Sequence, residues 1–383
     1  MIYLDYAAAT PIDKRVKEAM EPYYSDLFFN PSASYFLAKK VHADLESARH
    51  NLAQIIGARP AEIILTAGAT ESINIAVNSF AGDIITTNVE HPAVLASVKA
   101  RGGKVLAVEP NGLIDTGKLG ALITDQTELI SIGYVNSETG IIQDIKAVSN
   151  LVKSIRSDRV SRNISLPLLL HVDASQGAGL VDLNVARLGV DLMTLNASKC
   201  YGPKQVGLLY ARAGVKLKPL ISGGGQEMGI RSGTENVAGA VGFAKALTLA
   251  DNTRKSELKR LSSLRNLAKK ILVNDLGDKL VFNENTKHNA PNILSISYPS
   301  VDGERVLFAL DEAGVMVATG SACAANKGLR SHVLLALGLS NELVDGSIRL
   351  SFGRFTKEED IKKASHLIAE SILAQLDFGV DDA

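Results

Sequence analysis

The sequence predicts an α/β protein: a large domain on a mostly parallel central sheet, joined to a smaller α+β domain. Three observations carry that prediction. Between Glu62 and Leu195 short apolar runs alternate with helical patterns, the order that places parallel strands beneath covering helices. Composition shifts after residue 247, where a charged helical stretch leads into a second set of strands and helices. The length, 383 residues, exceeds that of one usual domain. The expected boundaries are 13–250 for the large domain, with 1–12 and 251–383 forming the small one.

The elements follow in order. Tyr3-Leu-Asp5-Tyr6 is a short extended segment, and a helix is expected from Asp13 with Val16 and Met20 on its apolar face. Asn30-Pro-Ser-Ala-Ser34 reads as a turn before a long helix over Tyr35–Ile56, closed by Gly57. Strands are predicted at Glu62–Thr66, Asp83–Thr87, Lys104–Val108, Leu129–Val135, Leu168–Val172 and Asp191–Leu195, and helices at Thr70–Phe80 and Pro92–Lys99. Asp251–Ile271 is a charged helix with leucines at helical spacing, able to bridge two domains. Asn292–Tyr298, Val315–Thr319 and Ser347–Phe352 are strands of the small domain, and Asp302–Ala313 is its helix.

Hydrophobic residues make up 46% and charged residues 21%, a soluble globular balance. With 41 basic and 41 acidic residues, the net charge gives no support to a nucleic-acid binder or a membrane anchor. The two cysteines, Cys200 and Cys323, are too few for a disulfide framework and fit a reducing compartment. No apolar run is long enough to span a bilayer, and the first residues do not read as a secretion signal. The expectation is a cytoplasmic enzyme. A basic stretch, Lys153 to Asn163, reads as a solvated helix end and loop.

The chemistry is concentrated at strand ends. In Asn196-Ala-Ser198-Lys199-Cys-Tyr-Gly-Pro203 a lysine sits on a tight turn after an apolar strand. Its amine is either ordinary surface charge or a nucleophile that forms a Schiff base with a carbonyl. Thr66-Ala-Gly68-Ala69-Thr70-Glu71 joins a strand to a helix. It reads either as a simple cap or as an anion cradle of small residues at a helix N-terminus. His91, just before Pro92, could cap a helix or stack on a flat ring. Asp173 ends an apolar strand and needs a cationic partner. An arginine would serve, and so would a protonated pyridine nitrogen, with Gln176 on the ring oxygen.

Further along, Gly223-Gly-Gly225 to Arg231-Ser-Gly-Thr234 is glycine-rich and suited to a phosphate or a subunit interface. Gly320-Ser-Ala-Cys323 places a cysteine among small residues, where little packing is available. Such a loop suits a nucleophile that travels between partners. Arg349, in a strand pattern, is fitted either to a substrate carboxylate or to a structural ion pair.

Taken in order, these stretches resemble the cysteine desulfurase family, within the class V enzymes of the pyridoxal-phosphate-dependent transferase (aspartate aminotransferase-like) fold. The resemblance runs from Tyr3-Leu-Asp5 to Gly353-Arg-Phe-Thr356. It rests on Gly-Ala-Thr-Glu-Ser, Glu-His, His-Val-Asp-Ala-x-Gln, Lys-x-Tyr-Gly-Pro-Lys, Arg-Ser-Gly-Thr and Gly-Ser-Ala-Cys, in that sequence. The cysteine segment is similar to the iron–sulfur assembly branch.

The resemblance implies pyridoxal 5'-phosphate as cofactor, L-cysteine as substrate, a homodimer, and a protein that accepts sulfur. Lys199 would hold the cofactor covalently and move protons. Asp173 would pair with its ring nitrogen, Gln176 with the ring oxygen, and His91 would stack on the ring. Ala69, Thr70, Asn196 and Ser198 would hold the phosphate, with Thr234 contributed by the second subunit. Ser137 would lie near the cofactor, while Asn136 and Arg349 would contact substrate. Cys323 would take the sulfur as a persulfide, releasing alanine, and could transiently ligate an iron–sulfur cluster with a partner; no resident metal is implied.

Departures from the family pattern are Ser198 where histidine is usual, Asn196 for serine, Ser137 for asparagine, no histidine after Asn30-Pro-Ser, and a Lys153 to Pro167 segment longer than usual. Two rivals follow. One is a different pyridoxal-phosphate reaction, selenocysteine lysis or transamination, and the other is a non-catalytic scaffold for a sulfur relay. Cys200 beside the lysine reads as packing.

Overall fold

The computed structural model describes residues 1–285, 287–320 and 330–378. Its centre is a seven-stranded sheet in the order Ile63–Thr66, Gly207–Ala211, Leu192–Asn196, Leu169–Asp173, Thr127–Gly133, Asp83–Thr87, Lys104–Leu106. The last five strands run parallel, and Gly207–Ala211 is antiparallel to both its neighbours. Continuous apolar runs such as Leu169-Leu-His-Val are buried along their length, as expected when helices cover both faces.

The predicted strands are present with ends displaced by one or two residues. Lys104–Val108 stops at Leu106, Leu129–Val135 occupies Thr127–Gly133, and Pro60–Glu62 is a turn of 3-10 helix ahead of Ile63. Gly207–Ala211 is a strand that the reading of the sequence omitted.

Helix ends follow local chemistry. Asp13 caps Lys14–Met20 by accepting the Arg15 N–H. Gly57, at φ 70°, closes Phe36–Ile56 in the left-handed conformation that glycine adopts without strain. The predicted Asp251–Ile271 helix is the second half of a 40-residue helix, Val237–Leu276.

That helix joins two hydrophobic cores. Its residues to Ala250 pack with the seven-stranded sheet. From Leu261 onward they pack with Ile2, Leu4, Leu294 and Leu350. We propose on this basis the division into 13–250 and 1–12 with 251–383. The second core is built on a four-stranded antiparallel sheet, Ala318–Thr319, Ser347–Ser351, Ile293–Ser297, Val281–Phe282. The single strand expected over Val315–Thr319 is two. Val315–Met316 pairs with the N-terminal Ile2–Tyr3, and only Ala318–Thr319 joins the four-stranded sheet.

The basic stretch is part of the scaffold. Arg156 pairs with Asp191, Arg162 bonds Asp125 and Asp158, and Arg159 donates to the carbonyls of Thr124, Thr127 and Leu166. Among the described residues no helix is long and apolar enough to cross a membrane.

Candidate active site

The parallel strands bring chemistry to one edge because their C-terminal ends converge there. Asp173 ends Leu169–Asp173, Asn196 ends Leu192–Asn196, and Gly133 ends Thr127–Gly133. Around these ends lies a cavity of about 1050 Å³. Ala69, Thr70, His91, Asn136, Ser137, Asp173, Gln176, Asn196, Ser198, Lys199 and Arg349 all line it. Thr234 does not: it is exposed and absent from this wall. Cys323 lies outside the described residues.

Lys199 closes a 3-10 turn that follows its strand directly. Asn196 stabilises that turn, its Oδ1 accepting from Ser198 N at 3.2 Å and Ser198 Oγ at 3.1 Å. Two of the residues that depart from the family pattern are therefore bonded to each other. Lys199 Nζ donates to the carbonyls of Ala7 and Ala8, each at 2.7 Å, so the N-terminal segment holds the amine inside the cavity. Gln176 Nε2 donates to the same Ala7 oxygen at 2.8 Å. The turn is further tied by Thr10, whose N–H and hydroxyl donate to the Ser198 carbonyl.

The anion cradle is the start of the Ala69–Asn78 helix. Its cap is Gly68 at φ 133°, with no side-chain cap bond, so Thr70 is not the cap. The first N–H groups thus face the cavity with the positive end of the helix dipole. Gly207 makes this possible: a Cβ there would sit 2.7 Å from Gly68 Cα.

Asp173 accepts Ser175 N–H at 3.0 Å, and among the described residues it forms no ion pair with arginine or lysine. The structural Asp–Arg reading is excluded among them, and the carboxylate stands ready for a cationic ligand. Beneath it His171 is buried between Ser131 Oγ at 2.8 Å and Thr194 Oγ1 at 2.9 Å. Burial pushes its pKa down to about 4, against the pull of Asp173. His91 caps the Pro92–Ala100 helix, with Nδ1 accepting Ala93 N–H at 3.1 Å. Burial lowers its pKa, and Lys199 and His332 add to that while Asp173 opposes it.

Arg349 is buried, donating from Nη2 to Asp5 Oδ1 at 2.6 Å and from Nη1 to the Ser137 carbonyl at 3.0 Å. Its Nε is buried without a partner among the described residues, and the side chain also lines the cavity. The ion-pair reading holds, and the same guanidinium lines the cavity. Asn136 is mostly committed to its turn, with Oδ1 taking Glu138 N, Thr139 N and Thr139 Oγ1.

The sequence reading passed over Asp5, Glu90, Glu138, Ser331 and His332. Glu138 was visible in Val135-Asn-Ser-Glu138, but its partner Ser331 stands 193 positions away. His332 carried no local signal. Among the described residues no cluster of His, Cys, Asp or Glu could hold a metal ion.

The aminotransferase class-V family matches residues 2–364. This chain belongs to that family, in its cysteine desulfurase group. The curated cysteine desulfurase IscS of Dictyoglomus turgidum is 40% identical, over 94% of this chain and 91% of that protein. The Escherichia coli cysteine desulfurase IscS is 39% identical, over 97% and 92%. Among solved structures, a NifS-like protein superposes with a TM-score of 0.88 at 34% identity, covering 97% of this chain and 99% of its own. SspA in complex with cysteine superposes at 0.76 with 30% identity, covering 93% and 100%. The α/β fold of these desulfurases is the fold found here, and the helix-start cradle, the strand-end carboxylate and the turn lysine form one site.

Proposed function

We propose that this protein is a pyridoxal-phosphate-dependent cysteine desulfurase that converts L-cysteine to L-alanine. The observation that carries the reading is the sharing of one cavity by Lys199, Asp173 and Arg349: an amine, an uncommitted carboxylate and a guanidinium with an orphan N–H. The uncapped helix start and Asp173, which has no arginine or lysine ion-pair partner among the described residues, fit a phosphorylated, protonated pyridine. When bound, that cofactor supplies an electron sink for the amino carbon of the substrate.

The residues then divide the work. The N–H groups at Ala69 and Thr70, with Ser198 and Asn196, would hold the phosphate, and Thr234 of a second copy would complete the cradle. Asp173 would pair with the ring nitrogen, Gln176 with the ring oxygen, and His91 would stack on the ring. Lys199 Nζ would hold the cofactor and would move protons at that same atom. Arg349 would take the substrate carboxylate while Asp5 holds its Nη2. Cys323 takes the sulfur: its bond to the substrate carbon breaks, an S–S bond forms, and alanine leaves. The persulfide is handed to a thiol of an acceptor protein, in the cytoplasm.

The test is absorbance of the purified protein before and after L-cysteine, with alanine assayed in the same tube. A visible cofactor band that shifts as alanine accumulates supports the reading. In Cys323→Ala the band should remain and alanine formation should stop. A protein that binds no cofactor after soaking is a scaffold, and full turnover by Cys323→Ala removes the persulfide route.

A further inference from the structure

Lys199 and Arg349 line one cavity but belong to different cores. The neighbours of the lysine, Ala197 and Cys200, pack in the core of the seven-stranded sheet. Those of the arginine, Ile348 and Leu350, pack in the second core. The separation of the two groups is therefore set at the seam between the cores. Arg349 crosses that seam itself with its bond to the Ser137 carbonyl, and a larger contact crosses it at Tyr201.

Tyr201 has a left-handed backbone, φ 66°, an outlier for a bulky side chain that persists only where its surroundings fix it. Here they do. Its N–H donates to Thr10 Oγ1 at 2.8 Å, and its carbonyl accepts Asp13 N–H at 3.0 Å. Its hydroxyl accepts the backbone N–H of Arg354. The Arg354 guanidinium lies over the ring, 4.3 Å from its centroid, and pairs with Asp13. Phe355 meets the ring edge-on at 5.8 Å. Arg260, from the long helix, donates to the carbonyls of Gly353 and Thr356 at 2.7 and 2.8 Å, which holds the segment that receives Tyr201. That segment follows directly on Ser347–Ser351, the strand that carries Arg349. Tyr201 itself does not line the cavity.

Resting on the desulfurase reading, we propose that Tyr201 is a positioning residue: with Arg354 it fixes the separation of Lys199, at the amino end of the substrate, from Arg349, at its carboxylate. An α-amino acid must engage both groups at once, so its affinity depends on their spacing. A ligand that carries only one of the two ends is indifferent to that spacing. The contact acts through the turn on one side and the strand on the other, and no covalent bond changes in it.

The experiment titrates the holoenzyme with L-alanine, ethylamine and propionate, which share a skeleton and carry both ends, the amine alone and the carboxylate alone. Dissociation constants come from the shift of the visible cofactor band, and for propionate from competition with L-alanine. Tyr201→Phe keeps the ring and loses the acceptor for the Arg354 N–H. Its constant for L-alanine should rise about tenfold, the scale of one lost hydrogen bond. The constants for ethylamine and propionate should stay within about twofold of wild type. Arg354→Met should show the same selective loss, and the double variant should lose little more, because both changes break one contact. An unchanged constant for L-alanine, equal losses for all three ligands in step with a falling melting temperature, or losses that add in the double variant overturn the inference. A wild type that forms no alanine from L-cysteine removes the desulfurase reading and this inference with it, whereas an active wild type with any of those outcomes removes the inference alone.

Discussion

Asp5 Oδ1 lies 2.6 Å from Arg349 Nη2, joining residues 344 positions apart. The carboxylate fixes one edge of the guanidinium, the Ser137 carbonyl fixes a second point, and Nε is buried with no partner among the described residues. Asp5 is thus a positioning residue. Asp5→Asn keeps an acceptor but loses the charge, and KM for cysteine should rise about tenfold with a smaller change in kcat. Arg349→Lys, which cannot make the two-edged contact, should lose about a hundredfold in kcat/KM. Steady-state kinetics decides: an unchanged KM in Asp5→Asn would show that the pair only holds the fold.

Glu90 gives a pH signature. Burial pushes its carboxyl up to about 7, with Asp173 adding to the rise, while the Thr87 hydroxyl and Gly133 N–H pull the other way. A free glutamate ionises near about 4.3. Between those values the native chain keeps a proton that the unfolded chain has lost. The associated stability is complete below about 4.3 and is lost as pH rises through about 7. Glu90→Gln has no such loss. Its melting temperature, relative to wild type, should therefore climb from acid to neutral pH in cofactor-free protein. A flat difference would mean that the native carboxyl is already ionised. Glu138, pushed up to about 7 by burial against Arg349 and Ser331, follows the same sign.

What the sequence disclosed, and what it did not, follows contact range. Lys199, Asp173, Gln176 and Asn196 were legible because each ends an apolar strand or lies on the turn after it, and parallel topology gathers such ends. The Asp5–Arg349 and Glu138–Ser331 contacts were not, because nothing in either local stretch encodes a partner hundreds of residues away. Val315–Thr319 has one continuous strand pattern, yet its two halves pair with different strands. The Gly207–Ala211 strand was readable as an apolar run, Gly-Leu-Leu-Tyr-Ala, and was simply passed over. The full Val237–Leu276 helix was obscured by its change from small apolar residues to charged ones, which marks its passage from one core to the other.

The glycine-rich loop depends on a buried ion pair. Arg49 Nη1 and Nη2 bond Glu227 Oε2 and Oε1 at 2.6 and 2.8 Å, and Leu65 N–H adds a third bond to that carboxylate. Glu227 and Met228 both sit at positive φ, 49° and 58°, so the pair holds a backbone that would otherwise relax. Arg49→Met strands a buried carboxylate and should cost about 3–5 kcal/mol. The urea midpoint should fall accordingly. If Arg231→Ala, which removes the neighbouring bond to Glu71, cost as much, the buried pair would not be the main anchor.

The two cysteines should separate by reactivity. Cys200 is buried, its Sγ donates to the Ala197 carbonyl at 3.4 Å, and burial pushes its pKa up to about 12. At pH 8 that leaves only about one thiolate in ten thousand, and the thiolate is the reactive form. Native protein should therefore take up iodoacetamide on Cys323 alone, and denatured protein on both, as read by mass spectrometry. Cys200→Ala should leave desulfuration intact at a cost of about 1 kcal/mol in stability, whereas Cys323→Ala should abolish it. Labelling of Cys200 in the native state, with Cys323 spared, would overturn the assignment of Cys323.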